Sequence, residues 1–518
     1  MSILPNSVEY WAANRPDDVA FLEGDRRMTW SELNDAANRV AHGLAARGVV
    51  AGDIVVLRTQ IRIEWPVLSD AIGKLRCSLL GLNWRLTPAE TQYVLSNSGA
   101  QVVVCDDEDP AALKPAFEGL PIKLAVSIGA SAPGFVAFSD LLDTSAEPPL
   151  HSTGRPPLIL YTSGTTGLPK GVVSVVQPGA QMDARISEYL SDVASTRRGQ
   201  PGGVSLLTLP LHHGAGPSQV WGAIQLGNPT VMMRRFDPEA ALRLIAQHRV
   251  TNWTGVPTMY KRLAALPKGV LDSYDVSSIR ALSVGAAPVP FELKRWIIRY
   301  FGDGVLGEGY GATEVGMISF LPPEMQERKP GSSGRPHKHV DISIRDAEGR
   351  ELPRNQSGEI WIRTPVTIHS YLNGKPLGAD TRDADGYFRV GDVGMLDDDG
   401  YLFITDRAKD MIIAGGVNIY PAEIEAAILR HPDVQDVAVI GIPDDEFGEQ
   451  VKAFCELKPG HATDEAAILA FCRDHLASYK RPKTLSIVDE LPRNTMGKLL
   501  NQANVAVTEI SAWLKSLG

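Results

Sequence analysis

The chain has 518 residues, a mass of 56.0 kDa and a net charge of −10, from 51 lysines and arginines against 61 aspartates and glutamates. Hydrophobic residues make up 44% and charged residues 22%, which excludes a disordered or fibrous chain. The acidic balance excludes a global field that attracts nucleic acid, so an anionic ligand needs a local site. The four cysteines are too few and too scattered for a disulfide framework or a zinc motif, which favours a cytoplasmic setting.

The N-terminal segment carries Pro5 and charged residues from Glu9 onward, so it is not typical of a signal peptide. No segment has the ~20 consecutive apolar residues that a membrane-spanning helix needs. We expect no transmembrane segment and no nucleic-acid partner, whereas peripheral membrane contact and a homodimer both agree with the sequence.

The first hundred residues alternate helix and strand signals. Thr29 and Glu32 have capping-box spacing, and apolar residues at helical spacing follow over 33–44. Residues 53–57 and 101–105 are predicted to form buried strands. Strands that alternate with helices indicate a mostly parallel sheet covered on both faces.

The remainder of the chain contains segments that connect secondary-structure elements and a domain boundary. Residues 145–157 are rich in proline and polar residues and predict a surface connection, and residues 397–400 predict a turn between two strands. We place a domain boundary near 406–410, which divides the chain into residues 1–408 and residues 409–518. The second part predicts a helix, two strands and a helix, at 421–430, 437–442, 451–457 and 465–476.

The most informative string is LILYTSGTTGLPKG at residues 158–171. An apolar strand leads into a loop of glycines and hydroxyl residues that ends at Lys170. Backbone N–H groups, hydroxyls and an ammonium together suit a polyphosphate. A Walker A loop is excluded, because its glycine spacing differs and because residues 172–176 predict a strand instead of a helix. The alternative is a flexible hairpin loop without a ligand.

This string resembles the AMP-binding signature of the adenylate-forming enzymes, which include acyl-CoA synthetases, peptide-synthetase adenylation domains and beetle luciferases. Further motifs of that family follow in order: GAAP at 285–288, GYGATE at 309–314, GD at 391–392, DRAKD at 406–410 and LPRNTMGK at 491–498. The resemblance implies an α/β fold with a large multi-subdomain N-terminal body and a small mobile C-terminal α+β domain. The family usually has glycine at the position of Asp406, and basic residues at that of Asn501.

The resemblance also implies roles for individual residues. Tyr310 is expected to pack on adenine and Asp392 to accept from the ribose hydroxyls. The implied Mg²⁺ ligands are Thr162 and Glu314, which count as catalytic together with Lys498, and the implied hinge is Lys409. The implied ATP and AMP site comprises Thr162, Ser163, Gly164, Thr165, Thr166, Gly167, Lys170, Gly285, Ala286, Ala287, Gly309, Tyr310, Gly311, Ala312, Thr313, Glu314, Asp392, Arg407 and Lys498.

Lys498 is the implied catalytic lysine. A mobile ammonium can bridge a carboxylate and the ATP α-phosphate, and it stabilises the charge that develops in the transition state. The alternative for a lysine at this position is a solvated surface side chain.

The segment LPLHHGAG at 209–216 bears on the substrate. Amino-acid-activating relatives have an aspartate here, and a buried ammonium without such a partner is costly. The segment resembles that of acyl- and aryl-CoA synthetases instead, where His213 borders the acyl pocket. A metal at the vicinal histidines is not favoured, because no cysteine or carboxylate is spaced nearby as a ligand.

The implied acyl pocket comprises His213, Trp221, Val256 and Gly285, and Trp253 is a second tryptophan able to close it. The small residues around them favour a bulky or elongated acid, and fatty, aryl and steroid acids all stay open. The implied coenzyme A site comprises Arg85, Gly415, Gly416 and Lys480, although the basic cluster around Lys480 also suits a solvated turn.

The predicted function is an ATP-dependent acyl-CoA ligase that activates a medium- or long-chain fatty acid through an acyl-adenylate and releases AMP and pyrophosphate. The substrates and cofactors are then the acid, ATP, Mg²⁺ and coenzyme A. The alternatives are an aryl- or steroid-acid CoA ligase, a ligase that loads a carrier protein, a luciferase-like oxygenase and an inactive nucleotide-binding regulator. Residues 302–307 match G-x-G-x-x-G but follow a predicted helix at 291–301, which argues against a dinucleotide site.

Overall fold

The computed structural model describes residues 3–149, 155–162, 169–174, 183–196, 199, 201–407, 412–414, 417–444 and 448–491. In these ranges the strands form two large sheets that are mainly parallel, a four-stranded antiparallel sheet and a five-stranded sheet near the C-terminus. The predicted α/β fold class, with a large body and a small C-terminal α+β domain, is therefore confirmed. None of the helices in these ranges has both the length and the apolar character needed to cross a bilayer.

The strands and helices follow one another in the alternating order that the sequence predicts. The strands are β1 (Val19–Glu23), β2 (Arg26–Thr29), β3 (Ile54–Arg58), β4 (Ser78–Gly81), β5 (Val102–Cys105), β6 (Leu124–Ser127), β7 (Val136–Ala137), β8 (Leu158–Thr162), β9 (Lys170–Val173), β10 (Ser205–Leu207), β11 (Thr230–Met232), β12 (Asn252–Gly255), β13 (Ala281–Gly285), β14 (Leu306–Ala312), β15 (Gly316–Leu321), β16 (Arg335–Pro336), β17 (Asp341–Arg345), β18 (Gly358–Arg363), β19 (Phe388–Leu396), β20 (Leu402–Arg407), β21 (Ile412–Ala414), β22 (Val417–Ile419), β23 (Val434–Asp444), β24 (Gly448–Leu457) and β25 (Thr484–Val488). The α-helices are α1 (Val8–Asn14), α2 (Trp30–Ala46), α3 (Glu64–Lys74), α4 (Pro88–Ser98), α5 (Ser139–Leu142), α6 (Ala184–Thr196), α7 (Ala215–Leu226), α8 (Pro238–His248), α9 (Pro257–Ala264), α10 (Lys268–Leu271), α11 (Phe291–Phe301), α12 (Pro421–Ile428) and α13 (Glu465–His475). Short 3₁₀ helices cover Pro110–Phe117, Pro323–Met325 and Ser478–Lys480.

The first large sheet has the strand order β7-β6-β5-β3-β4-β8-β9. Its neighbours are parallel except for the β8–β9 hairpin at one edge. Strands β3 and β5 are almost wholly buried, which explains why they read as continuous apolar runs in the sequence. This sheet therefore presents the glycine-rich string at its β8–β9 edge.

The second large sheet has the order β16-β15-β14-β13-β12-β10-β11-β1-β2. It is parallel from β14 to β1 and antiparallel at both ends. The residues at 302–307 join helix α11 to strand β14, so this glycine-rich segment leads from a helix into a strand. A dinucleotide fingerprint has the opposite order, from strand to helix.

Helix α2 begins with the predicted capping box. The Glu32 backbone N–H donates to Thr29 Oγ1 at 3.2 Å, and the Thr29 N–H donates to Glu32 Oε2 at 2.7 Å. The apolar positions at helical spacing are fully buried, Leu33 and Leu44 among them. Two N-terminal N–H groups that lack helical partners are thereby satisfied, and the apolar face is directed into the core.

The C-terminal domain contains the predicted helices α12 and α13 and strands β23 and β24, with ends that differ by a few residues. The two strands are longer than predicted because their antiparallel backbone bonds continue past the apolar stretches, as far as Asp444 opposite Gly448. An ion pair joins this domain to the body, with Lys261 Nζ 2.7 Å from Asp436 Oδ1. The predicted boundary at 408–409 lies outside the described residues and stays a prediction.

Gly43 lies where helix α2 packs closely against helix α5, and its substitution tests this packing. A Cβ atom at Gly43 would lie 2.7 Å from the Leu141 carbonyl oxygen, so we expect Gly43→Ala to destabilise the protein by about 1–3 kcal/mol. The matched control is Gly269→Ala, since nothing lies within 4 Å of a Cβ atom there, and it should leave stability unchanged or raise it by up to about 1 kcal/mol. Denaturant unfolding measures both, and equal stabilities for the two variants would contradict the packing argument.

Candidate active site

The β8–β9 hairpin presents two of the predicted site residues. Thr162, the last residue of β8, pairs with Lys170, the first residue of β9. The first three residues of β8 are buried, which fixes the hairpin to the sheet. The loop between the strands lies outside the described residues, and with it the predicted Ser163, Gly164, Thr165, Thr166 and Gly167.

Glu314 approaches this hairpin from the second large sheet. It follows strand β14 at the turn into β15, and Thr162 Oγ1 donates a hydrogen bond to Glu314 Oε1 at 3.2 Å. A hydroxyl and a carboxylate are hard oxygen donors of the kind that Mg²⁺ prefers together with phosphate oxygens and water. These two residues therefore fit a magnesium ion that is shared with a bound polyphosphate.

The predicted adenine loop lies where two strands come very close. Gly285 ends β13 beside Gly309 of β14, and a Cβ atom at Gly285 would lie 2.2 Å from the Gly309 carbonyl oxygen. Ala286 has a φ of +65°, which costs energy for any residue other than glycine and recurs at functional sites. The glycine at 285 is therefore required by the close approach of the two strands, a reason that the sequence alone did not reveal.

Asp392 lies on β19 and is almost buried. The Tyr310 hydroxyl donates to Asp392 Oδ2 at 2.5 Å, so the predicted adenine and ribose residues are in direct contact. Asp392 also pairs in register with Arg407 of β20, whose backbone alone is described. A carboxylate accepts several hydrogen bonds, so Asp392 can accept from Tyr310 and from a ligand hydroxyl together.

The acyl-pocket residues occupy different surroundings. The rings of His212 and His213 lie 4.6 Å apart, and burial, His213 and Arg85 hold the pKa of His212 well below its usual range. Trp221 donates from Nε1 to Ser69 Oγ at 3.1 Å and packs near the core of the first sheet. Val256 is buried in the core of the second sheet.

Trp253, the second tryptophan expected near the acyl pocket, is a core residue. Its side chain is only 1% exposed and packs against Tyr260 and Phe236. Its Nε1 donates to Thr208 Oγ1 at 2.9 Å, which satisfies the one polar atom of the indole.

Two arginines flank a tryptophan at the predicted coenzyme A site. The Arg85 guanidinium lies 4.7 Å from the Trp84 ring centroid, and that of Arg235 lies 5.7 Å from it. Arg235 was not predicted, because it is distant in sequence and belongs to no motif that marks it. Lys480 forms an ion pair with Glu423 at 2.6 Å, and the predicted Gly415 and Gly416 lie outside the described residues.

Tyr371 is a further residue that sequence reasoning missed. Its hydroxyl donates to Glu314 Oε1 at 3.5 Å, and Lys170 Nζ lies 5.0 Å from its ring centroid. The structure thus brings together Thr162, Lys170 and Glu314, and also Gly285, Gly309, Tyr310 and Asp392. The predicted hinge Lys409 and catalytic Lys498 lie outside the described residues.

Two family models match the chain. The model described as AMP-binding enzyme matches residues 8–372, and the model described as AMP-binding enzyme C-terminal domain matches residues 423–498. Together they include all of the motifs on which the resemblance was based except the GD and DRAKD segments between them.

Similar proteins cover almost the whole chain. A fatty acid–[acyl-carrier-protein] ligase of Streptomyces coeruleorubidus is 34% identical over 97% of this chain and 96% of its own length. A 2-succinylbenzoate–CoA ligase of Geobacillus kaustophilus is 34% identical over 97% of both. The crystal structure of ATP-bound MatB from Rhodopseudomonas palustris has a TM-score of 0.83 and 30% identity, over 98% of this chain and 99% of that one.

Substitution of Asp392 tests directly whether this site binds AMP. We expect Asp392→Asn to weaken AMP binding by about tenfold to a hundredfold, since hydrogen bonds to a charged acceptor contribute about 1.5–3 kcal/mol. Tyr310→Phe keeps the ring and the carboxylate and loses one hydrogen bond, so its loss should be about tenfold or less. Calorimetric titration with AMP measures both, and native affinity in Asp392→Asn would contradict the assignment.

Proposed function

The chain belongs to the AMP-binding enzyme family and is an ATP-dependent acid–thiol ligase, and we propose that it joins a medium- or long-chain fatty acid to coenzyme A. The observation that carries the proposal is the contact between Thr162 and Glu314, which joins the hairpin bearing Lys170 to the strand bearing Tyr310. This contact brings the residues proposed to bind the polyphosphate, the metal ion and the adenine into one site.

In the first step, a carboxylate oxygen of the acid attacks the α-phosphorus of ATP, and pyrophosphate leaves. Lys170 and the hydroxyl-rich loop hold the phosphates, whereas Tyr310 and Asp392 orient the adenosine. Thr162 and Glu314 would hold Mg²⁺, which would supply positive charge to offset the charge of the phosphates. Lys498 acts on the developing charge between the carboxylate and the α-phosphate, where a positioned cation is most effective.

In the second step, the thiol sulfur of coenzyme A attacks the acyl carbon, and AMP leaves with the carboxylate oxygen that it acquired. We propose that the C-terminal domain rotates about Lys409, which withdraws Lys498 and opens a path for the thiol. Arg85 and Arg235 beside Trp84 are suited to the phosphates and adenine of coenzyme A. Gly415, Gly416 and Lys480 belong to the same proposed site.

A hydrophobic acid is supported by the surroundings of the acyl segment. Burial lowers the pKa of His212 well below its usual range, so this imidazole offers no positive charge to a second carboxylate on the substrate. Among the relatives, one is named for fatty acids and another for succinylbenzoate, and the choice between aliphatic and aromatic acids is therefore made by experiment.

The proposed function is tested by pyrophosphate release with ATP and Mg²⁺ across a panel of acids, from acetate through long fatty acids to aryl and steroid acids. We expect the strongest release with medium- or long-chain fatty acids, and thioester formation when coenzyme A is present. Preference for an aryl or steroid acid would contradict the substrate class. Acylation of a phosphopantetheinyl carrier protein without turnover of free coenzyme A would contradict the acceptor.

Substitution of Lys498 is expected to affect adenylation and thioester formation differently. We expect Lys498→Ala to lower the rate of adenylation by about a hundredfold or more, because it removes a charge used in that transition state. Thioester formation from supplied acyl-AMP should stay within about threefold of the native rate, because Lys498 is withdrawn in that step. The matched control is Lys268→Ala, an exposed lysine, which should affect neither step.

Stopped-flow measurement of both half-reactions gives the result. An equal loss in the two steps would contradict the role of Lys498 and indicate a general effect on substrate binding.

A further inference from the structure

We propose that Tyr371 is a positioning residue that holds the Glu314 carboxylate and the Lys170 ammonium apart and ready for ATP and its metal ion, a role that rests on the proposed function. The phenol donates to Glu314 Oε1 at 3.5 Å, and the face of the same ring lies 5.0 Å from Lys170 Nζ. One side chain thus contacts both of the charged groups that the first step requires.

Tyr371 contacts Glu314 by a hydrogen bond and Lys170 by a cation–π interaction. A bound metal ion or phosphate can readily replace either contact. A neutral hydroxyl satisfies the carboxylate, and an aromatic face satisfies the ammonium by a cation–π interaction. The tyrosine hydroxyl carries a proton and is therefore able to donate to the carboxylate. A direct ion pair between Lys170 and Glu314 would instead compete with phosphate and metal for both groups.

The backbone around Tyr371 fixes this position. The Ile368 N–H donates to the Glu314 carbonyl at 3.0 Å, and the Leu372 N–H donates to the Gly171 carbonyl at 2.7 Å. The segment is therefore bonded to the residue that bears the carboxylate and to the residue that follows Lys170. A third bond, from Asn373 Nδ2 to the Asn97 carbonyl at 2.8 Å, ties it to helix α4. These bonds therefore fix the Tyr371 ring between Glu314 and Lys170.

The test compares Tyr371→Phe with Tyr371→Leu by calorimetric titration of ATP at increasing Mg²⁺ concentrations, without any acid. We expect Tyr371→Phe to raise the Mg²⁺ concentration at half-maximal ATP affinity about three- to tenfold, because only the hydroxyl contact to Glu314 is lost. Its affinity for ATP without Mg²⁺ should change less than about twofold, because the ring face remains over Lys170. Tyr371→Leu should also weaken metal-free ATP binding, about three- to tenfold.

Tyr387→Phe is the matched control, because that ring lies against Arg345 and Arg363 instead of the site. It should reproduce the native Mg²⁺ dependence. A native Mg²⁺ dependence in Tyr371→Phe would overturn the positioning role, as would equal losses of metal-free affinity in the Phe and Leu variants. Failure of the native protein to bind ATP at any Mg²⁺ concentration would instead overturn the proposed function, and the positioning role with it.

Discussion

The hydrogen bond between Thr162 and Glu314 is the contact on which the site depends. Thr162 ends a strand of the first sheet, whereas Glu314 lies in the β14–β15 turn of the second, 152 positions away, yet their side-chain oxygens lie 3.2 Å from each other. The first sheet carries the Thr162 hydroxyl and Lys170, and the second carries the Glu314 carboxylate and Tyr310. Neither sheet alone therefore has all of the groups that the proposed site needs. A shift of one sheet against the other would therefore separate Glu314 from Thr162 and Lys170, and with it the groups that we propose to bind the metal ion and the phosphates.

Close backbone approach is the second constraint, and it explains the small residues of the motifs. At Gly285 any side chain would collide with the Gly309 carbonyl, and at Gly43 with Leu141. The first glycine allows the predicted adenine loop to adjoin β14, whereas the second allows two helices to pack. The same residue type thus serves the site in one place and the core in the other, and only the neighbouring atoms distinguish the two roles.

Sequence reasoning succeeded where the signal is local. The Thr29 capping box, the buried strands and the hairpin that ends at Lys170 each depend on residues a few positions apart, and all are present. It missed Tyr371, which lies 57 residues from Glu314 and meets it only through tertiary packing. It also missed Arg235 beside Trp84 and the burial of Trp253 in the core, because no spacing along the chain encodes contacts between distant segments.

We propose that the acid is activated by direct attack on the α-phosphorus of ATP, and transfer of an oxygen isotope from the acid to AMP reports on this step. The acid with the strongest pyrophosphate release is prepared with both carboxylate oxygens as ¹⁸O and is incubated with ATP, Mg²⁺ and coenzyme A. Mass spectrometry of the products then locates the label. We expect AMP that carries one ¹⁸O atom and pyrophosphate that carries none. Unlabelled AMP, or label in pyrophosphate or free phosphate, would contradict an acyl-adenylate and the function built on it.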